Sequence, residues 1–182
     1  MTGRPLSLVG DDAQESMIIA ASTTPLGGCI VEVGVYRGGT AWQLAALARV
    51  RGVPLYLYDT FTGIPYRNVE KGDTHVVGDF SDVNEAEVRA AIPDAIFCKG
   101  VFPDTLVEMG PISFVHCDCD QYQAVKDVIT HLYPKLLPGG MIVFDDYACL
   151  EGATRAVDEY FVITEATKSN KVLVRAGITE IR

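Results

Sequence analysis

The chain reads as five short apolar runs, separated by stretches in which apolar residues recur at helical spacing. The runs are GCIVEVG (28–34), PLYLYD (54–59), AIFCKG (95–100), ISFVHCD (112–118) and GMIVFDD (140–146). They are close to continuously apolar and do not alternate, the pattern of strands covered on both faces. Helical spacing marks Thr40–Val50, Asn84–Ala91 and, most clearly, Tyr122–Leu137. In the last, Val125, Val128, Ile129, Leu132 and Leu136 recur before Pro138-Gly139-Gly140 stops the helix. Strands alternating with helices predict a doubly wound, mostly parallel α/β sheet. Near the C-terminus, FVITEAT (161–167) and KVLVRAG (171–177) are separated only by Lys168-Ser169-Asn170. So short a gap allows a hairpin but not a parallel crossover, so the sheet is expected to finish with an antiparallel strand.

Two segments fall outside this rhythm. Residues 60–84 hold Gly63, Pro65, Gly72 and Gly78 and few apolar positions. A loop of that length inside a compact domain marks a lid candidate. The first 27 residues contain an amphipathic stretch, Asp11–Thr24, with Met17, Ile18 and Ile19, suited to covering the sheet or to pairing with a second copy in a homodimer. No repeat or linker divides the chain, so one domain over residues 1–182 is expected.

Composition narrows the function classes. The net charge is −9, and the 15 Lys and Arg form no run, which disfavours nucleic acid and anionic membrane surfaces as partners. No apolar run approaches the roughly 20 residues that cross a bilayer. The start, MTGRPLSLVGDD, has no long apolar core behind a basic end, so the expected location is cytoplasmic. Five cysteines, at 29, 98, 117, 119 and 149, are an odd number and are expected to be reduced.

The first strand ends in EVGVYRGGT, Glu32 to Thr40, and a helix follows directly. Glycines there let the backbone turn sharply and let a ligand approach the main chain. The spacing is not that of dinucleotide binders, and the lysine of a phosphate-binding loop is missing. An acidic residue two positions before the first glycine suits a cation better than a pyrophosphate. A sulfonium ligand with an amino-acid tail fits, with Glu32 expected at its positive end and the loop amides on the rest. Asp59, at the tip of the second strand about 20 residues past the glycines, stands where an acidic residue reaches ribose hydroxyls in doubly wound folds.

In FVHCDCDQY (114–122), strand alternation puts His116, Asp118 and Asp120 on one side and Cys117 and Cys119 on the other. No further Cys–His pair completes a zinc site, so the thiols are expected to pack as small apolar groups. Asp145 and Asp146, ending the next strand, bring further carboxylates to the same crevice. Such a cluster repels itself unless protons or a cation intervene, and oxygen-only ligands suit Mg²⁺. His75, in the long loop, is a general-base candidate should the loop close, although an exposed loop histidine is the plainer reading. His116 is expected to be a hydrogen-bonded core histidine.

The set IVEVGVYRGGTAW, LYDTFTGIP, KGVFPDTL and HCDCDQYQAVKDVITHLYPKLLPGGMIVFDDY resembles the macrocin O-methyltransferase family, in order as well as content, over about residues 28–158. The resemblance implies a seven-stranded class I methyltransferase sheet and an S-adenosylmethionine-dependent, Mg²⁺-dependent O-methyltransferase. The acceptor it implies is a hydroxyl of a small molecule, a sugar or sugar-bearing natural product. It assigns cofactor contacts to Glu32, Gly34, Asp59 and Asp118, together with Tyr36, Gly38 and Thr40 of the loop and Phe61 beyond Asp59. It assigns metal binding to Asp118, Asp145 and Asp146, and gives Asp120 a place beside the acceptor oxygen, with Asp118 and Asp120 the catalytic pair. A catechol-type phenol acceptor, or a cofactor-binding paralogue without turnover and with a regulatory or assembly role, remain the alternatives.

Overall fold

A computed structural model describes residues 4–65, 69–70, 72–161 and 172–175, the last of these as backbone only. Five strands form a parallel sheet: β1 (Cys29–Val33), β2 (Leu55–Asp59), β3 (Ile96–Lys99), β4 (Ile112–Cys117) and β5 (Leu136–Phe144). A sixth, β6 (Val172–Arg175), runs antiparallel to β5. The spatial order is β3-β2-β1-β4-β5-β6. Seven strands were expected, and six are present among the described residues. The run 161–167 lies outside them beyond Phe161.

Among the described residues, five α-helices cover the sheet: α1 (Asp11–Ser22), α2 (Gly39–Arg51), α3 (Glu85–Ala91), α4 (Tyr122–Leu132) and α5 (Glu151–Tyr160). Alternation along the buried strands divides the core into two layers. Val31, Val33, Val115 and Cys117 pack with α4 and α5 through Val125, Val128, Ile129 and Val157. The intervening positions Ile30, Phe114 and Val143 pack with α1, α2 and α3 through Met17, Leu44 and Val88. The amphipathic N-terminal stretch therefore serves as a cover for the sheet, with Met17 and Ala21 buried and Ile19 exposed. No helix among the described residues is long and apolar enough to cross a membrane.

Two boundaries differ from the sequence pattern. The helix expected to reach Leu137 stops at Leu132, because Pro134 lacks the N–H that would continue it and instead opens a single 3-10 turn, Tyr133–Lys135. Strand β5 consequently begins at Leu136 and carries extra residues around Gly139 (φ +84°), where its register with β4 shifts. Helix α5 was not anticipated, because its buried face is made of small residues, Gly152, Ala153 and Ala156, with Val157 alone large.

The strand order reverses between β1 and β4, so a crevice opens at their carboxyl ends, the usual ligand position in open α/β sheets. Backbone bonds run one residue past each strand and hold the loops level. Gly34 N–H donates to Tyr58 O (2.9 Å), Gly100 N–H to Asp59 O (2.9 Å), Asp118 N–H to Val33 O (2.9 Å) and Asp145 N–H to Cys117 O (3.0 Å).

Candidate active site

A cavity of about 450 Å³ occupies this crevice, within the range usual for small-molecule sites. Its floor is the row of strand ends just described. The first glycine of the loop is there by necessity: Gly34 sits at φ +87°, and a Cβ would overlap the Asp118 carbonyl. The loop is then organised by Asp59. Its Oδ2 accepts the Val35 (2.7 Å) and Tyr36 (2.8 Å) N–H groups, and its Oδ1 accepts Phe61 N–H (2.6 Å). A carboxylate has about four acceptor sites, so Asp59 keeps roughly one for a ligand. The same bonds turn two of the loop amides toward Asp59 and away from any ligand.

Of the eight residues assigned to the cofactor, Gly34, Tyr36, Thr40, Asp59 and Asp118 line the cavity. Three do not. Gly38 (φ +85°) is the turn before α2 and abuts Val88. Phe61 is buried, its ring 6.2 Å from Phe97. Glu32 requires the larger correction: it is fully buried on the α1–α2 side of the sheet, and its Oε1 lies 2.9 Å from Nδ1 of His116. Neighbouring Ile30 explains this placement, since residues two apart on a strand share a face.

The acidic residues do converge. Asp118, Asp145 and Asp146 each offer one oxygen, and these atoms lie within 4.8 Å of one another. The three stand past the ends of β4 and β5, where the loops leave the sheet. Burial pushes the carboxyl of Asp118 up to about 8 and that of Asp146 up to about 7, aided in each case by neighbouring carboxylates. Hard oxygen donors at this separation, two of them held above the usual carboxylate range by burial, fit a divalent cation such as Mg²⁺.

Asp120 stands beside the three at φ +60°, its N–H donating to Asp146 Oδ2 (3.0 Å). Burial, with the charges of Asp79 and Asp59, raises its carboxyl to about 6. The alternation expected through Asp120 fails, because β4 ends at Cys117 and the following residues turn. Cys119 lines the cavity, yet its Sγ packs 3.4 Å from that of buried Cys117. All five cysteines are free thiols.

The long loop supplies the outer wall. Ile64 and Gly78–Asp79 are joined by two backbone bonds of 3.0 Å, bringing both limbs together. His75 is thereby carried inward, its Nε2 3.6 Å from Asp120 Oδ1, its Nδ1 3.5 Å from Asp79 Oδ2 and its ring against Phe80. It is 29% exposed, partly covered rather than fully solvent-facing as the plainer reading had it. Gln121 was missed altogether. It donates from Nε2 to His75 O (3.0 Å), while its buried Oε1 has no hydrogen-bond partner among the described residues. Leu6 to Val9, which also line the cavity, carry no signal beyond an apolar pair in a polar terminus.

A family model for macrocin-O-methyltransferase (TylF) matches residues 11–172. The chain is 32% identical to demethyldecarbamoylnovobiocin O-methyltransferase of Streptomyces niveus, over 73% of this chain and 58% of that protein. It is 31% identical, with the same coverage, to 8-demethyl-8-(2,3-dimethoxy-alpha-L-rhamnosyl)-tetracenomycin-C 4'-O-methyltransferase of Streptomyces olivaceus. The chain thus spans less than two thirds of the length of these curated relatives. Among solved structures, the O-methyltransferase NovP superposes with a TM-score of 0.78 at 25% identity, covering 93% of this chain and 81% of that one. The chain belongs to the macrocin O-methyltransferase family.

Proposed function

We propose that the chain is an S-adenosylmethionine-dependent, divalent-metal-dependent O-methyltransferase acting on a hydroxyl of a sugar or sugar-bearing natural product. The observation that carries the reading is the trio Asp118, Asp145 and Asp146, gathered within 4.8 Å at the floor of a cavity whose other side is the glycine loop. The acceptor class rests on the relatives, one of which is named for a rhamnosyl-bearing substrate.

When bound, the cation supplies Lewis acidity to a chelated hydroxyl, and the sulfonium supplies the methyl group. The residues of the chain do the rest. Asp118, Asp145 and Asp146 hold the metal. Gly34 admits the cofactor close to the backbone, Tyr36 and Thr40 wall its site, and the free acceptor site of Asp59 takes a hydroxyl. Asp120 receives the proton of the acceptor hydroxyl, and its raised pKa brings it nearer the pH at which it works. His75, across a gap of 3.6 Å, orients that carboxylate. Ile64, Pro65 and Phe80 of the loop keep water from the reacting atoms.

Asp145→Ala tests the reading. Cofactor affinity, measured by titration calorimetry, is expected to stay within about threefold, while metal-dependent methylation of a panel of vicinal diols falls by at least about 100-fold. Full activity of the variant in chelator would remove the metal from the account. Absence of cofactor binding by the unaltered protein would remove the methyltransferase reading itself.

A further inference from the structure

Glu32 and His116 are a buried polar pair that the proposed chemistry leaves without a task. They are in-register partners on adjacent parallel strands, β1 and β4, and both are 0% exposed. Their neighbours in register are Leu57 on β2 and Val143 on β5, with Ile30 and Phe114 next along the same face, all buried. Burying a carboxylate and an imidazole among such residues costs several kcal/mol, and apolar replacements of similar volume are often as stable or more so. Stability alone is therefore a weak reason for the pair.

Its geometry supplies another. A carboxylate only accepts, so Nδ1 of His116 carries the hydrogen bonded to Glu32 Oε1 at 2.9 Å. That bond sets the plane of the ring and leaves Nε2 3.6 Å from Oδ1 of Asp145, an ion-pair distance rather than a hydrogen bond. Asp145 is itself tied by its N–H to the carbonyl of Cys117, the residue after His116. The chain of contacts crosses three strands, from β1 through β4 to the end of β5, and finishes on one member of the acidic trio.

We infer that Glu32 and His116 are positioning residues for the metal site, a buried strut that holds the Asp145 carboxylate in the orientation in which it joins Asp118 and Asp146. The inference rests on the metal reading above and deepens it. It also gives Glu32 a role in place of the cofactor contact that the sequence suggested. Histidine–carboxylate partners of this kind orient metal ligands elsewhere, and losing one typically costs about 10–100-fold in metal affinity.

The test is Mn²⁺ binding by titration calorimetry on the whole chain, alongside S-adenosylmethionine binding and thermal unfolding. The double variant Glu32→Leu/His116→Phe replaces the pair with apolar groups of similar size and removes the buried carboxylate and its imidazole together. It is expected to melt at or above the temperature of the unaltered protein, to bind cofactor within about threefold, and to lose about 10–100-fold in Mn²⁺ affinity. Mn²⁺ affinity within twofold of the unaltered protein overturns the inference, as does loss of cofactor binding with metal affinity kept. No Mn²⁺ binding by the unaltered protein overturns the metal reading along with it.

Should the double variant fail to fold, the unaltered core decides. The chain has three histidines. His75→Gln/His131→Gln leaves His116 alone, and nitrogen-15 spectra of its ring are expected to move on titration with Mg²⁺. Spectra unchanged at saturating Mg²⁺ overturn the strut.

Discussion

Burial and neighbouring carboxylates hold Asp118 and Asp146 above the usual carboxylate range, and single atoms decide how near the groups of the trio come. Gly34 is the sharpest case. Its backbone lies where a Cβ would strike the Asp118 carbonyl, and its φ of +87° is strained for any side chain. Backbone cannot swing aside as a side chain can, so Gly34→Ala should cost more than about 3 kcal/mol in urea unfolding, from overlap and strain together. Unfolding unchanged from the native protein would mean that the β1 and β4 ends are less tightly joined than described. At this scale the sequence was legible in part. The aspartates of D-x-D and D-D-Y, and Gly34, were found because turn chemistry and charge are local properties. The buried place of Glu32 was not, because its partner lies 84 positions away on another strand. Glu32 shares its face of the strand with Ile30, but nothing local names what waits there.

Among the elements, the long loop and α4 depend on one another. The N-cap residue of α4, Gln121, makes no side-chain cap bond. The cap comes instead from the loop, where Asp73 Oδ1 accepts the Tyr122 N–H at 3.0 Å, at the end of the helix that favours negative charge. Gly152 of α5 leaves room for this carboxylate, since a Cβ there would collide with it. The cap, with the Gln121–His75 bond, pins residues 72–81 over the cavity. Asp73→Ala should therefore cost about 1 kcal/mol in stability and speed proteolytic cleavage within residues 60–84, whereas Asp73→Asn, which keeps an acceptor, should resemble the parent. Equal cleavage of the alanine variant and the parent would show that the loop is held by other means. The buried strands were the most legible elements, because continuous apolar runs have few other uses. The loop was identifiable only as a gap: residues without periodicity give no sign of which side chain they carry inward, and His75 was read as exposed for that reason.

For the whole molecule, the proposed metal would tie charge to folding. The net charge of −9 already opposes compaction, and the trio with Asp120 concentrates part of it at one crevice. Burial raises Asp118, Asp146 and Asp120 to about 8, 7 and 6, above the unfolded value of about 3.9. A raised folded pKa means that the native state holds the proton more tightly. The stabilisation is complete below about pH 4 and is lost as pH climbs through about 6 to 8. A divalent cation takes over the role of those protons, but it competes with them at low pH. The rise in melting temperature on adding Mg²⁺ should thus be small near pH 5.5 and several-fold larger near pH 8, roughly the span of these three carboxyls. An equal rise at both, followed by differential scanning calorimetry, would place the cation away from these groups. The mostly parallel, doubly wound sheet followed from the alternation of runs and helices, whereas the order of its strands is a non-local property that the runs do not carry. The count of seven did not follow, since six strands lie among the described residues.

Everything proposed for this site depends on Asp118, Asp145 and Asp146 binding a divalent metal beside a sulfonium cofactor. Anomalous diffraction from crystals grown with Mn²⁺ and S-adenosylhomocysteine tests it most directly. One strong manganese peak coordinated by all three carboxylates is expected, with the cofactor sulfur above Gly34. A cofactor-filled cavity with no manganese at the trio, or a peak at other residues, would contradict it.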